Sequence, residues 1–121
     1  MKVLDASALL AFLQGEAGSR VVAEALESGA NCAAVNWSEV AQKVRASGRN
    51  WDLSRALLLS YDLRIEPVTA EDAERAARSW RAGSGMSLAD RLCLALAHRL
   101  GAPALTADGH WGAAPPVVQI R

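Results

Sequence analysis

Short apolar runs alternate along the chain with longer stretches in which apolar residues recur every three or four positions. Lys2-Val3-Leu4-Asp5 is too short for a helix and reads as a strand, while Ala6 to Leu13 is rich in helix formers and closes at Gly15. Glu16 to Gly29 carries Val21, Val22, Ala25 and Leu26 on one face and predicts a second helix. Asn31 to Val35 is a short apolar run, and Asn36-Trp37-Ser38-Glu39 has the pattern of a capping box opening a third helix through Ala46. A fourth helix starts at Asn50 or Asp52 and ends near Asp62. Leu63 to Val68 then alternates as a strand does, with Pro67 marking its end or an edge. Thr69-Ala70-Glu71-Asp72 caps a fifth helix reaching Ala82, stopped by Gly83-Ser84-Gly85. Ser87 caps a strongly periodic sixth helix, with Leu88, Leu92, Cys93, Leu96 and Leu100 on its buried side and Gly101 after it. Pro103 to Thr106 is a strand, Ala107 to Ala114 a loop or short helix, and Val117 to Ile120 a last strand.

Strands separated by amphipathic helices are βαβ units, so the fold class is α/β: a three-layer α/β/α domain on a mostly parallel central sheet of about five strands. With 121 residues and neither a repeat nor a linker, one domain spans residues 1–121. The chain is 51% hydrophobic but only 5% aromatic, so Ala, Leu and Val fill the core. No apolar run approaches the roughly 20 residues of a membrane span, and Met1 leads into Lys2-Val3-Leu4-Asp5 without a signal-peptide apolar region, which places the protein in the cytoplasm with no membrane partner. Cys32 and Cys93 lie outside any CxxC or Cys/His spacing and read as small buried hydrophobes.

Thirteen basic and thirteen acidic residues cancel, which excludes a protein that coats nucleic acid through a broad basic field but leaves a local nucleic-acid site open. In a parallel sheet the ligand site forms beyond the carboxyl ends of the strands. Four acids fall there. Asp5 ends the first strand, Glu39 lies in the first helical turn after the second, Asp90 opens the sixth helix and Asp108 follows the strand ending at Thr106. Singly, each reads as a helix cap or a first-turn acid that complements the dipole. Together they would repel one another, and a divalent cation is the usual means of holding such a group ionised; oxygen-only ligands favour Mg²⁺ or Mn²⁺ over zinc. Ser7 and Thr106 stand two residues from Asp5 and Asp108, where each hydroxyl suits either a turn or a carboxylate's support. His98 and His110 lack partner spacing and read as surface or packing residues. Trp37, Trp51, Trp80 and Trp111 read as core or interface, and Asp72 with its neighbouring acids as caps or solvated faces.

Leu4-Asp5-Ala6-Ser7-Ala8-Leu9-Leu10, Asn36-Trp37-Ser38-Glu39-Val40, Ser87 to Ala97 and Leu105-Thr106-Ala107-Asp108 resemble, in order and over the whole chain, the PIN-domain nucleases, specifically the VapC-type toxins of bacterial toxin-antitoxin pairs. The resemblance implies that Asp5, Glu39, Asp90 and Asp108 are the catalytic acids of a metal-dependent endoribonuclease. Asp5, Asp90 and Asp108 would hold Mg²⁺ or Mn²⁺, Glu39 would orient the attacking water, and Ser7 and Thr106 would support them. It further implies RNA as substrate, a homodimer, and an antitoxin whose tail occludes the site. Arg45, Arg49, Arg55 and Arg91 are the candidates for gripping the RNA backbone. The non-enzyme alternative is a PIN-like nucleic-acid or protein binding module with little catalysis. Rival α/β enzymes fit worse. A haloacid-dehalogenase-type site wants an Asp where Ser7 stands, a receiver domain needs a Lys at a late strand end where there is none, and no GxGxxG follows the first strand.

Overall fold

The computed structural model describes residues 1–121. In chain order the elements are β1 (Lys2–Leu4), α1 (Ala6–Gln14), α2 (Ser19–Ser28), β2 (Ala30–Ala33), α3 (Ala34–Ala46), α4 (Trp51–Leu59), β3 (Leu63–Glu66), α5 (Ala70–Arg78), α6 (Leu88–Leu100), β4 (Ala104–Thr106), a 3₁₀ turn (Gly109–Trp111) and β5 (Val117–Gln119). The five strands form one sheet in the order β3-β2-β1-β4-β5, and every neighbouring pair is parallel. The chain winds outward from central β1 to β2 and β3, then returns to add β4 and β5 on the other side. That reversal puts the topological switch point between β1 and β4, where parallel sheets open a crevice at their carboxyl ends.

The strands alternate their side chains between two apolar layers. Leu4, Cys32 and Leu105 pack with α1 to α4, whereas Val3, Ala33, Ala104 and Val117 pack with Cys93, Leu96 and Ala97 of α6. Helix α5 rests on α6 rather than on the sheet. Asp72 fastens it. The carboxylate accepts from Thr69 N while Asp72 N donates to Thr69 Oγ1, a reciprocal box that caps α5, and the carboxylate also receives Arg99 Nε at 3.1 Å and Nη2 at 3.0 Å. Arg99 also donates to Pro67 O, so one guanidinium ties the end of α6 to the start of α5. Burial alone would raise the Asp72 pKa, but the Arg99 hydrogen bonds and the Thr69 cap outweigh it and hold the carboxyl below its usual range.

Several boundaries differ from those read in the sequence, each for a local reason. Helix α2 starts at Ser19, not Glu16, because Gly18 takes a left-handed φ of 92° and lies so close to Ile120 that a Cβ would come within 2.7 Å of it. Helix α3 starts at Ala34, so the capping box placed at Asn36 does not form. Ala33 is the N-cap, without a side-chain bond, Asn36 is buried inside the first turn, and Glu39 lies one turn further along than expected. Helix α5 ends at Arg78, where Arg81 Nη1 donates to the carbonyls of Arg78 and Trp80 and turns the chain out. Leu88 and Leu100, expected on the buried side of α6, are 57% and 39% exposed. A 13-residue helix is about 20 Å long and overruns strands of three or four residues, so its end turns have no sheet to cover. Asp72, read as a cap or solvated acid, is a cap but a buried and paired one.

Candidate active site

Asp5 leaves β1 at the switch point and N-caps α1. Its Oδ1 accepts from Ala8 N at 2.8 Å and from Ser7 Oγ at 2.7 Å, and its Oδ2 accepts from Thr106 Oγ1 at 2.6 Å. Both hydroxyls are themselves oriented by the chain after β4: Ser7 Oγ accepts from Ala107 N at 2.9 Å and Thr106 Oγ1 from Asp108 N at 3.0 Å. The carboxylate is thus fixed from both sides of the switch point. It is also 97% buried with no cation against it, since the two ion pairs of the chain are Arg99 with Asp72 and His110 with Asp108. Burial raises the Asp5 pKa above the ordinary range, the hydrogen bonds from Thr106, Ala8 and Ser7 oppose that, and the charge of Asp90 adds to it.

Two further acids share this neighbourhood. Helix α3 brings Glu39 from β2, and α6 brings Asp90 in a capping box with Ser87, whose backbone N donates to Asp90 Oδ2 at 2.9 Å. The two buried thiols respond to these charges as well as to burial. The Cys93 thiol is pushed well up, first by burial and then by the charges of Asp5, its neighbour Cys32, Asp90 and Glu39. Burial, Asp5 and Glu39 do the same to Cys32. Both cysteines are free and buried, as their lack of motif spacing implied.

Asn36 joins the two acid-bearing helices. Its Nδ2 donates to Glu39 Oε1 at 3.0 Å and to Ala89 O, the residue before Asp90, at 3.3 Å. Both partners are acceptors, so the amide orientation is unambiguous, and Oδ1 is left buried without a donor. Sequence reasoning missed this residue because the capping template had already assigned it.

The fourth acid, Asp108, follows β4, and its backbone N–H donates to the Thr106 hydroxyl that holds Asp5. It caps the 3₁₀ turn, accepting from His110 N at 2.8 Å, and the same oxygen faces His110 Nδ1 at 3.0 Å. Ser7 and Thr106 both donate to the Asp5 carboxylate. The arginines expected to grip RNA lie on three helices and beyond the end of one of them. Arg91 donates back to Ala76 O. Arg45 lies six residues beyond Glu39 on a helix running away from the acids, about 9 Å along the axis, with Arg49 beyond the helix end. Arg55 is exposed on α4. A concavity of about 840 Å³ between α5, α6 and β5 contains none of the acids, which sit instead at the open edge of the sheet.

The chain belongs to the PIN domain family, whose family model matches residues 2–115. Within that family it stands with the VapC type. It is 35% identical over 115 residues to ribonuclease VapC42 of Mycobacterium tuberculosis and to a VapC ribonuclease of Mycobacterium bovis, covering 85% of this chain and 87% of each relative. Among solved structures, the fold matches a chain of a toxin-antitoxin complex from Klebsiella pneumoniae with a TM-score of 0.79, at 21% identity and over 100% of this chain and 98% of that one. It also matches VapC20 of Mycobacterium tuberculosis, described as a sarcin-ricin loop cleaving toxin, with a TM-score of 0.76 at 19% identity over 95% of each chain.

Proposed function

We propose that this protein is the toxin of a toxin-antitoxin pair, an endoribonuclease that hydrolyses RNA phosphodiester bonds at the edge where Asp5, Glu39 and Asp90 meet, with Mg²⁺ or Mn²⁺ as its cofactor. The observation that carries the reading is that three carboxylates, one of them almost wholly buried, are brought to one edge of the sheet without a basic side chain paired to any of them. A neutral scaffold gains nothing from such an arrangement, because each charge makes the others more costly.

The donors present fit a hard divalent ion. All are oxygens, Glu39 and Asp90 each keep one carboxylate oxygen free of protein hydrogen bonds, and Asn36 Oδ1 is a buried acceptor still lacking a partner. No three of the His, Cys, Asp and Glu side chains converge closely enough to ligate one ion together as they stand. Mg²⁺ suits that spacing, since it binds through one or two carboxylates and keeps several waters. Asp5 and Asp90 would hold the ion. Such an ion supplies a lowered pKa for water and neutralises phosphate charge.

The chain's own residues then have distinct tasks. Ser7 and Thr106 fix both Asp5 oxygens, so the carboxylate need not reorganise during the reaction. Asn36 aligns Glu39 through Oε1, which leaves Oε2 to accept a hydrogen bond from the attacking water. Asp108 contributes through its backbone, whose N–H orients Thr106; its carboxylate belongs to the rim with His110. Names among the relatives and structures support the remaining parts of this reading: VapC42 is called a ribonuclease, and a matching structure from Klebsiella pneumoniae is called a toxin-antitoxin complex. We place an antitoxin among its partners on that basis, and a second copy of the chain because the family resemblance implies a homodimer.

The test is cleavage of a broad panel of end-labelled RNAs by the purified protein in Mg²⁺ or Mn²⁺, beside the same reaction in EDTA. Cleavage that stops in EDTA is expected. Cleavage undiminished by EDTA would overturn the metal, and no cleavage anywhere on the panel would overturn the enzyme.

A further inference from the structure

Formal charge sums to zero over the chain, but between Glu74 and Asp90 it holds three arginines and no acid. The centre of that segment is the α5–α6 connection, residues 79–87, which runs directly into the Ser87 cap and Asp90. Helices α5 and α6 are antiparallel, as the pairing of Asp72 with Arg99 and of Ala76 with Arg91 requires, so the connection lies at the same end of the molecule as the acids. Trp80 stands at its start with 58% of its surface in solvent, the most exposed aromatic side chain of the protein other than the imidazoles. Nothing in the core needs it there. Arg81 pins the backbone on either side of it through Arg78 O at 3.1 Å and Trp80 O at 2.8 Å, and its Nη2 and Nε are not used in either bond.

A second ring meets the same connection. His110 lies against Gly85 so closely that a Cβ there would come within 3.0 Å of the imidazole, and Gly85 also takes a φ of 75°, so this contact excludes other residues twice over. Asp108 Oδ1 faces Nδ1 and fixes the ring plane, yet 74% of the side chain is exposed. Fixed, exposed aromatic faces beside cations are what single-stranded nucleic acid binds: bases stack on the rings and phosphates pair with arginine.

We propose that the α5–α6 connection and the 3₁₀ turn form the wall that holds single-stranded RNA beside the acids, with Trp80 and His110 as base-stacking faces and Arg78 and Arg81 as phosphate contacts. This rests on the hydrolytic reading above and moves the substrate surface away from Arg45 and Arg49, which lie along α3 in the opposite direction. It also selects unpaired RNA, because bases within a duplex present no free face.

The experiment takes a single-stranded RNA cleaved by the wild-type protein and compares kinetics for Trp80→Ala, Trp80→Phe, His110→Ala and the double variant Arg45→Ala/Arg49→Ala. Both aromatic truncations should raise KM about tenfold, the loss of one base stack, with kcat changed less than threefold. Trp80→Phe should recover most of the loss, and the Arg45/Arg49 variant should keep the wild-type KM. Both aromatic residues are exposed, so truncation leaves the core intact. Unchanged KM in Trp80→Ala and His110→Ala, or a rise confined to the Arg45/Arg49 variant, would overturn the proposal while leaving the enzyme standing. Normal RNA kinetics combined with lost binding of the cognate antitoxin would assign the wall to a protein partner instead and equally overturn it. A wild type that cleaves no RNA removes the enzyme and this wall together.

Discussion

Asp5→Asn is expected to lower RNA hydrolysis by on the order of 10³-fold and, in the same molecule, to make the metal-free protein more stable at neutral pH by on the order of 1 kcal/mol. The two effects share one cause. Asp5 is buried, its ionised form is opposed by desolvation and by Asp90, and no cation offsets either. Asparagine keeps the shape and an acceptor for Ala8 N, and the Ser7 and Thr106 hydroxyls can rotate to meet the amide. The pH dependence has a definite sign. Because the folded-state pKa of Asp5 is raised, the native protein holds this proton more tightly than the unfolded chain does. In EDTA, stability therefore falls as pH rises from the ordinary carboxylate value of about 4 through the folded value. Asp5→Asn should lack that component of the decline, and Mn²⁺ should restore the wild type but not the variant. Urea unfolding across pH 4 to 8 reads all of this. A variant less stable than wild type throughout would show that the carboxylate supports the fold rather than straining it.

Asp72→Ala should lower stability by about 2–3 kcal/mol, a shift of ~10 °C in Tm, with hydrolysis per folded molecule retained. The substitution removes a capping box and leaves Arg99 without its bidentate partner. The figure is below that for a fully buried pair because the Arg99 side chain is 30% exposed and can regain water. Arg99→Lys keeps the charge but loses the fork that spans Asp72 and Pro67, and should cost about 1 kcal/mol. Here the pH sign is opposite to that of Asp5. The Asp72 pKa is depressed, so its contribution is complete above about pH 4 and disappears as pH falls through the folded value. Calorimetry at pH 7 and pH 3 separates the two: the gap between wild type and Asp72→Ala should narrow at the lower pH.

How far the sequence led depended on whether a residue's task was local. The strands were legible as short apolar runs between amphipathic helices, and parallel order alone delivers Asp5 and Asp90 to one edge. Thr69 and Ser87 were legible as caps because the box pattern completes itself within four residues, and both boxes form. The same pattern misled at Asn36, whose amide binds across to Ala89 on a helix 53 positions away and is buried by that contact. Gly18 ends one helix's reach because Ile120, at the other end of the chain, sits against it. Asp72 looked like a surface acid until α6 folded back over it with Arg99. His110 had no partner at any motif spacing; what gives it a fixed orientation is Asp108 two residues earlier together with Gly85 beneath it. Partners distant in sequence decided these positions, His110 excepted in part, and hydrophobic periodicity carries no information about such partners.

Calorimetric titration of Mn²⁺ into the RNA-free protein at pH 7 tests most directly whether Asp5 and Asp90 hold a divalent cation beside Glu39. The wild type should bind, Asp90→Asn should weaken binding at least tenfold, and Asp108→Asn should change it little. Equal affinity in the wild type and Asp90→Asn, or no binding by the wild type, would contradict the account.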